Sequence, residues 1–354
     1  MPNTTEAKKS LDRIIKIARV HFYKPIQVAE ILYRHRSDKD WDLNDLESYR
    51  NVSKNWRDEI SLRLVGRRST SSQKYQDNVF EENAMPPRSL AALGEVNKKD
   101  GGLVETYIYR CLQKRLSSVH EVWRYIKEAA PETFSLPQLD ARFKKIPGLR
   151  RSVDKMYEIA VYALFSTLVR ELKAEVTLEV KNEDKAILKD FEQFIKAVLG
   201  IDAERTKLVL PAALYRVGVA NAADRGLDMW GNFGVAVQVK HLTLTTTMLE
   251  DIAEDILADR IVVVSLDAEK EAIASLLKQI GWGSRIQGII TLSDLDNWYK
   301  LCLGPKYKTK LGSVLLSDLK REFEAEFPSS ESIIPFLKER GYDKIALPKG
   351  WEPK

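Results

Sequence analysis

The sequence contains very little cysteine: Cys111 and Cys302 are the two in 354 residues, and they stand far apart. Neither belongs to a zinc-binding spacing, and two distant cysteines do not make the disulfide framework of a small secreted protein. The four histidines are scattered, and none has a cysteine or a second histidine at a metal-binding spacing. These absences argue against a zinc site and fit a reducing cytoplasm.

Long apolar runs are also absent. No stretch approaches the roughly eighteen uncharged apolar residues of a membrane-spanning helix, and the N-terminal MPNTTEAKKSLDRII lacks the apolar core of a signal peptide. No Gly-rich loop followed by Lys and Ser or Thr is present, so nucleotide hydrolysis is unsupported. We therefore expect a soluble, cytoplasmic protein with no membrane partner.

The chain does carry enough apolar residues for two ordinary domains, since 44% of its residues are hydrophobic. Its 56 bases slightly outnumber its 51 acids, which gives a net charge of +5. The bases are bunched locally. This pattern suits a protein that touches a polyanion with part of its surface.

Residues 1–150 are expected to be mostly helical, because apolar residues recur at helical spacing in segments such as IQVAEILYRHR and SKNWRDEISLRLVGR. Bases bind phosphates, and Arg and Gln can also read base edges. The last of these helices and the loop RRSTSSQKYQ after it supply the candidate DNA contacts Lys54, Arg57, Arg67, Arg68, Gln73 and Lys74. The alternative is a helical bundle with a solvated charged face and a surface loop.

Residues 151–354 read as helices alternating with strands. The strands include AEVTLEV, LPAALYRVGV, RIVVVSLD and IQGIITL, and helices are expected at SVDKMYEIAVYALFSTLVREL, TTTMLEDIAEDILADR and DLDNWYKLCL. Apolar strands among helices predict a mixed central sheet flanked by helices. The fold class is therefore α/β, with a mostly α-helical N-terminal region and a domain boundary near residue 150.

The stretch GLDMWGNFGVAVQVKHL, from 226 to 242, predicts a hairpin whose turn centres near Phe233. Asp228 then lies opposite Gln238, and Lys240 shares the face of Gln238. Carboxylate and amide oxygens are hard ligands suited to Mg²⁺, and a lysine beside them can orient a water and offset phosphate charge. The spacing therefore predicts metal-assisted phosphodiester hydrolysis.

Gln238 is neutral, so this site has one negative charge fewer than a site with two acids. Two further acids can compensate. Asp224 lies four residues before Asp228, and Glu158 sits among apolar residues of the predicted helix DKMYEIAVYAL. A buried acid needs a partner, and a metal would be one. The alternative for Glu158 is an exposed helical position.

GLD, nine intervening residues and QVK resemble the metal-binding signature of the PD-(D/E)xK nuclease superfamily, in the variant with Gln in place of the second acid. The resemblance implies that Asp228 and Glu158 are metal ligands, that the Val239 carbonyl is another, and that Lys240 is the catalytic lysine. The chain departs from the superfamily pattern where Leu227 replaces proline and where Gln238 replaces an acid. These departures put the number of metal ions in doubt.

Longer segments, including WRDEISLRLVGRRSTSSQKYQDNVFEENAMPP and GVANAADRGLDMWGNFG, are similar to the HaeII-type restriction endonucleases over most of the chain. This resemblance implies a Mg²⁺-dependent type II endonuclease that cuts double-stranded DNA at a short GC-rich palindrome, RGCGCY. A palindrome calls for two active sites related by a two-fold axis, hence a homodimer. A cognate DNA methyltransferase would protect the host.

Two other functions stay open from the sequence. The first is a nuclease of the same core acting in repair or methyl-dependent restriction, which would give no defined fragment pattern. The second is a non-catalytic DNA-binding regulator, for which Lys240→Ala and Mg²⁺ would make no difference.

Overall fold

The computed structural model describes residues 4–38, 41–146, 149, 152–202, 204–217, 227–240, 256, 258–265 and 286–353. These residues divide into two compact units. Unit 1 contains described residues of 4–156 and 319–353, and unit 2 contains those of 157–217 and 227–318. The sequence-based boundary near residue 150 stays a prediction.

Unit 1 is helical. Its helices are α1 Thr4–Ile17, α2 Tyr23–Ser37, α3 Leu46–Tyr49, α4 Val52–Val65, α5 Gln73–Asp77, α6 Pro87–Lys99, α7 Leu103–Lys127 and α8 Leu136–Lys145. A 3-10 turn, Asn78–Phe80, follows α5. Helix α1 illustrates why they pack: Ala7, Leu11, Ile14 and Ile15 recur on one face, and all are buried.

The core of unit 1 also takes in residues from far along the chain. Ile333, Phe336 and Leu337, from the later helix Ile333–Glu339, join the cluster formed around α2, α6 and α7. Arg340 pairs with the buried Glu30 of α2 at 3.3 Å, and Tyr342 is fully buried. Residues 319–353 are thus part of the N-terminal helical unit.

Unit 2 is mixed. Two helices, α9 Val153–Glu171 and α13 Ser313–Glu326, contain residues of both units. Between them lie β1 Glu175–Glu179, α10 Lys185–Asp190, α11 Glu192–Phe194, a π-helical turn Ile195–Leu199, β2 Lys207–Pro211, β3 Leu214–Arg216, β4 Met229–Gly231, β5 Val235–Val239, β6 Arg260–Ser265, β7 Ile286–Thr291, α12 Leu292–Leu303 and a second π-helical turn, Lys308–Gly312. The helix Ile333–Glu339 of unit 1 is α14.

The central sheet of unit 2 has the order β3-β4-β5-β6-β7. Its first three strands are antiparallel, and β5, β6 and β7 run parallel. The parallel strand β6 is buried at Ile261, Val263 and Val264, as expected for a strand covered on both faces. A separate two-stranded sheet pairs β1 with β2.

The predicted mixed α/β fold with a helical N-terminal region is confirmed. The helix expected at TTTMLEDIAEDILADR falls almost entirely outside the described residues. Cys111 and Cys302 are both buried and are not joined in a disulfide. None of the described helices is both long enough and apolar enough to cross a membrane.

Candidate active site and DNA-binding loop

The turn between β4 and β5 sets the geometry of the candidate site. Met229 pairs with Val237 and Gly231 with Val235, so the hairpin centres on Phe233. Gly234 has a φ of +82°, a conformation that glycine adopts without strain. The predicted register is therefore confirmed, and its continuation sets Asp228 opposite Gln238.

Asp228 and Gln238 are in direct contact. The Gln238 amide Nε2 and the Val239 main-chain N–H both donate to Asp228 Oδ2, each at 2.8 Å. The Asp228 main chain is fixed as well, because Val217 N–H donates to its carbonyl at 2.9 Å. Strand β5 thus orients the carboxylate, and the residue after β3 fixes the main chain of Asp228.

The other end of the Gln238 amide is unusual. Gln238 is 3% exposed, and within the described residues nothing donates a hydrogen bond to its Oε1. A buried amide oxygen without a partner is unfavourable by about 1–3 kcal/mol. A hard cation would satisfy this oxygen, so the residues present fit Mg²⁺.

Lys240 follows Gln238 by two residues and lies just beyond β5. Its main-chain N–H donates to the Val264 carbonyl at 2.9 Å, which continues the pairing of β5 with β6. The residue is half-buried. Strand alternation places Lys240 on the same face of the sheet as Gln238.

Glu158 is buried on α9, 3% exposed, and not at an exposed helical position. Its Oε1 accepts a hydrogen bond from Arg216 Nη1 at 3.0 Å, and both side chains are almost inaccessible. Arg216 lies opposite Met229, one residue from Asp228. Arg216 was not among the predicted site residues, although an arginine inside the apolar stretch ALYRVGV is a visible signal of a buried charge.

The acids alone do not make a metal site in the part of the chain that the structure describes, where no three His, Cys, Asp or Glu side chains form a metal-sized cluster. The candidate donor set instead includes the Gln238 amide and a main-chain carbonyl. Asp224, the other acid considered, lies outside the described residues.

In unit 1, three of the candidate DNA contacts are engaged within the protein. Lys54 pairs with Asp77 at 2.7 Å, and Arg67 bonds to the main-chain carbonyl of Ala325. Arg57 is 2% exposed; its Nε and Nη2 donate to the adjacent Asp58 at 2.8 and 2.7 Å, and its Nη1 donates to Gln27 of α2 at 3.4 Å. A DNA contact from Arg57 would require it to leave these partners.

The other three candidates are accessible. Arg68, Gln73 and Lys74 are all exposed. The Arg68 carbonyl accepts from the Tyr23 hydroxyl at 3.1 Å, which holds the main chain of the loop while leaving the side chain outside. These three side chains are placed where a phosphate or a base edge can reach them.

Comparisons with known proteins agree with one another. The family model described as HaeII restriction endonuclease matches residues 7–342. The type II restriction enzyme HaeII of Haemophilus aegyptius is 48% identical over 340 residues, which cover 96% of this chain and 97% of the relative. The type II restriction enzyme NgoBI of Neisseria gonorrhoeae is 48% identical over 341 residues, with the same coverage. No solved structure matches.

Proposed function

The chain belongs to the HaeII restriction endonuclease family and is a type II restriction endonuclease, and on that premise we propose that Asp228, Gln238 and Lys240 form the site where it hydrolyses a phosphodiester bond of double-stranded DNA. The observation that carries the proposal is the buried Gln238 amide, whose Nε2 donates to Asp228 and whose Oε1 accepts no hydrogen bond from the described residues. A buried amide oxygen that accepts no hydrogen bond is unfavourable in an apolar sheet but suits a cation site.

Asp228, Gln238 and the Val239 carbonyl would hold Mg²⁺, with Glu158 as the second acid. Bound Mg²⁺ would supply Lewis-acid stabilisation of the charge that develops on the phosphate and on the leaving oxygen. The Val239 N–H bond to Asp228 orients the carboxylate before DNA binds. Glu158 would have to share its carboxylate with Arg216, which supplies a positive charge at this edge of the sheet.

Lys240 acts on the reacting groups. Its ammonium orients the attacking water and offsets negative charge on the phosphate. As the water oxygen bonds to phosphorus, the water gives up one proton to the solvent, the ester bond between phosphorus and the leaving oxygen breaks, and the leaving oxygen takes up a proton from the solvent. The lysine therefore contributes to the chemical step more than to DNA affinity.

Recognition is assigned to unit 1, where Arg68, Gln73 and Lys74 are the DNA contacts best supported by their exposure. The family resemblance implies RGCGCY as the site. A palindrome of this kind is cut by two copies related by a two-fold axis, so the enzyme acts as a homodimer. It works in the cytoplasm beside a cognate methyltransferase.

Replacing Lys240 with alanine tests the proposal. We expect Lys240→Ala to slow cleavage of unmethylated plasmid DNA by roughly 100-fold or more, with DNA binding retained. The matched control is Lys300→Ala, which changes an exposed lysine of the same unit and should cleave normally. Gel assays give the rate, sequencing of the ends gives the cut site, and fluorescence anisotropy without Mg²⁺ gives binding.

Wild-type enzyme without Mg²⁺ should leave the plasmid intact. If the purified wild type also leaves unmethylated DNA of varied sequence intact with Mg²⁺ present, the proposed activity is wrong. Normal cleavage by Lys240→Ala would remove Lys240 from the mechanism.

A further inference from the structure

The segment 68–76, which follows α4 and carries the three exposed DNA-contact candidates, is accessible along nearly its whole length. Apart from Ser69 and Gln76, its residues are exposed. Exposed segments of this kind are commonly mobile, because few packed side chains restrain their main chain. The order of this segment therefore depends on hydrogen bonds and ion pairs, and these are concentrated at its two ends.

The start of the segment is attached to α2 and α4. The Tyr23 hydroxyl of α2 donates to the Arg68 main-chain carbonyl at 3.1 Å. The Ser69 main-chain N–H donates to Asp58 Oδ1 of α4 at 3.4 Å. Arg57 donates to the same Asp58 oxygen from Nε and Nη2, and Arg57 is itself buried. The buried guanidinium therefore fixes the acceptor that holds the segment.

Arg67 attaches the residue before the segment to a third element, α13. Its Nη2 donates to the Ala325 main-chain carbonyl, and its Nη1 lies 3.8 Å from Oε2 of Glu326. Glu326 is 4% exposed, so this ion pair is screened less than a pair in open solvent. The guanidinium is consequently engaged within unit 1, close to the point where the chain leaves α4.

The end of the segment is attached to α4 as well. Asp77, the residue after it, forms an ion pair with Lys54 at 2.7 Å and a second with Arg50 at 3.3 Å. Lys54 and Asp58 are four residues apart and so lie on one face of α4. Both ends of the segment are thus held against the same face of one helix.

Between these attachments the segment has local order. Ser72 caps α5 by accepting a hydrogen bond from the Tyr75 main-chain N–H at 3.4 Å. The Lys24 ammonium lies 4.1 Å from the centroid of the Tyr75 ring, a cation–π distance. Gln73 and Lys74 are the first two residues of α5, and both are exposed. The segment therefore presents them from a fixed helical turn.

The ion pairs separate the bases of this region into two groups. Lys54, Arg57 and Arg67 would each have to leave an acid in order to reach a phosphate. Arg68 and Lys74 are exposed on the segment itself. A segment that is ordered before DNA binds loses less conformational entropy on binding, which raises affinity. Paired bases can therefore contribute by ordering the segment, and exposed bases by contact.

We propose that Lys54, Arg57 and Arg67 are positioning residues for DNA recognition, which hold the segment 68–76 in the shape that binds DNA. They act through the segment and do not themselves touch a phosphate or a base. The inference rests on the proposed function, in which the exposed side chains of this segment contact DNA. It assigns a recognition role to three bases that are buried or paired within unit 1.

Asp77→Asn tests this inference, because the two possible roles of Lys54 predict opposite effects on DNA affinity. If Lys54 contacted a phosphate, removing the acid beside it would leave the binding of a polyanion unchanged or make it tighter. Loss of a positioning pair frees the end of the segment, so we expect the Kd for a labelled AGCGCT duplex without Mg²⁺ to rise roughly 5-fold in fluorescence anisotropy. The matched control is Asp140→Asn, which removes the same charge from a pair with Lys144, also 2.7 Å long, and should not weaken binding.

The salt dependence of binding separates positioning from contact. Each phosphate contact contributes about one unit to the slope of log Kd against log salt concentration. Lys54→Met should raise the Kd with this slope unchanged, whereas Lys74→Met, which removes an exposed base of the segment, should reduce the slope by about one. Lys54→Met/Asp77→Asn should bind no more weakly than the weaker single variant, because both substitutions break the same pair.

Limited trypsin digestion gives a readout without DNA, since Arg68 and Lys74 are cleavage sites within the segment. We expect faster cutting at these two positions in Asp77→Asn than in wild type or Asp140→Asn. Unchanged or tighter DNA binding by Asp77→Asn, or a reduced salt slope for Lys54→Met, would overturn the positioning role while normal cleavage by wild type left the proposed function standing. A wild type that binds the duplex through this segment but cuts no DNA would overturn the proposed hydrolysis alone.

Discussion

A carboxylate and a guanidinium, Glu158 and Arg216, are buried together in unit 2 with 3.0 Å between Oε1 and Nη1. Removing one member of such a pair leaves an uncompensated charge in a poorly solvated place, which destabilises a protein by roughly 3–5 kcal/mol. Replacing both with apolar side chains is often close to neutral. Glu158 therefore has two separable roles, one in stability and one, as proposed, in metal binding.

The two roles predict different behaviour for single and double variants. Glu158→Leu should lower the free energy of unfolding by roughly 3–5 kcal/mol, and Glu158→Leu/Arg216→Met should recover most of that loss. Cleavage should stay impaired in the double variant, because the second acid is still missing. Urea unfolding and Mg²⁺-dependent cleavage are the measurements. A stable double variant with full activity would show that Glu158 only neutralises Arg216.

The surroundings of Arg216 and Arg57 could not be predicted from the sequence alone. Glu158, an acid in an apolar helix, indicated a buried charge. Its partner Arg216 lies 58 positions away in the sequence, and their contact depends on the tertiary fold. Arg57 was predicted to contact DNA because it stands among bases on a helix. Its burial depends on Asp58 beside it and on Gln27 of α2, and no spacing rule predicts this arrangement.

At the scale of elements, the β4–β5 hairpin is held by its turn as well as by its strands. Asn232 donates from Nδ2 to the Pro211 carbonyl, and its Oδ1 accepts from Ala213 N–H, both at 2.9 Å. The turn is therefore tied to the chain that enters β3. A slip of one residue would move Asp228 away from Gln238 and reverse the face of Lys240.

Gly234→Ala tests whether the conformation of the turn is needed to position Asp228 opposite Gln238. Its φ of +82° strains any other residue by about 1–2 kcal/mol, whereas an added Cβ would meet only Asp259 Oδ2 at an ordinary 3.5 Å. We expect a loss of stability near that size and slower cleavage. Gly288→Ala, in β7 with nothing within 4 Å of the added Cβ, is the control and should have little effect. Equal results for the two variants in urea unfolding would count against this account.

The hairpin was predictable because its determinants are local. Two glycines around Asn232 and Phe233, followed by alternating apolar residues, specify a turn and a register without knowledge of the rest of the fold. The strand order β5-β6-β7 depends instead on crossovers through residues outside the described ranges. Alternation of helices and strands indicated a mixed sheet, but it did not specify that β1 and β2 form a sheet of their own.

At the scale of the whole molecule, stability should depend on pH through His21 of unit 1. Burial lowers the pKa of His21 from 6.5 to about 4, although the nearby Glu326 acts in the opposite direction. The folded protein therefore keeps this imidazole neutral. Between pH 6.5 and 4 the unfolded chain binds a proton that the folded chain does not, so stability falls as the pH falls through this window.

A shift of this size corresponds to roughly 3 kcal/mol of stability, present above pH 6.5 and lost by about pH 4. His21→Gln should flatten the difference in unfolding free energy between pH 7 and pH 5. His120→Gln, at an exposed position, should leave the difference unchanged. Urea titrations at pH 7 and pH 5 measure the unfolding free energies. An identical pH dependence in wild type and His21→Gln would show that His21 is not the cause.

The return of residues 319–353 to unit 1 has a consequence for the order in which the enzyme is made. Phe323, Phe336 and Tyr342 are all but fully buried in a unit whose first helices begin at Thr4. The ribosome synthesises the whole of unit 2 before these side chains emerge. Until then, the hydrophobic core around the N-terminal helices is incomplete. A nascent chain therefore cannot complete unit 1 before unit 2 has been translated.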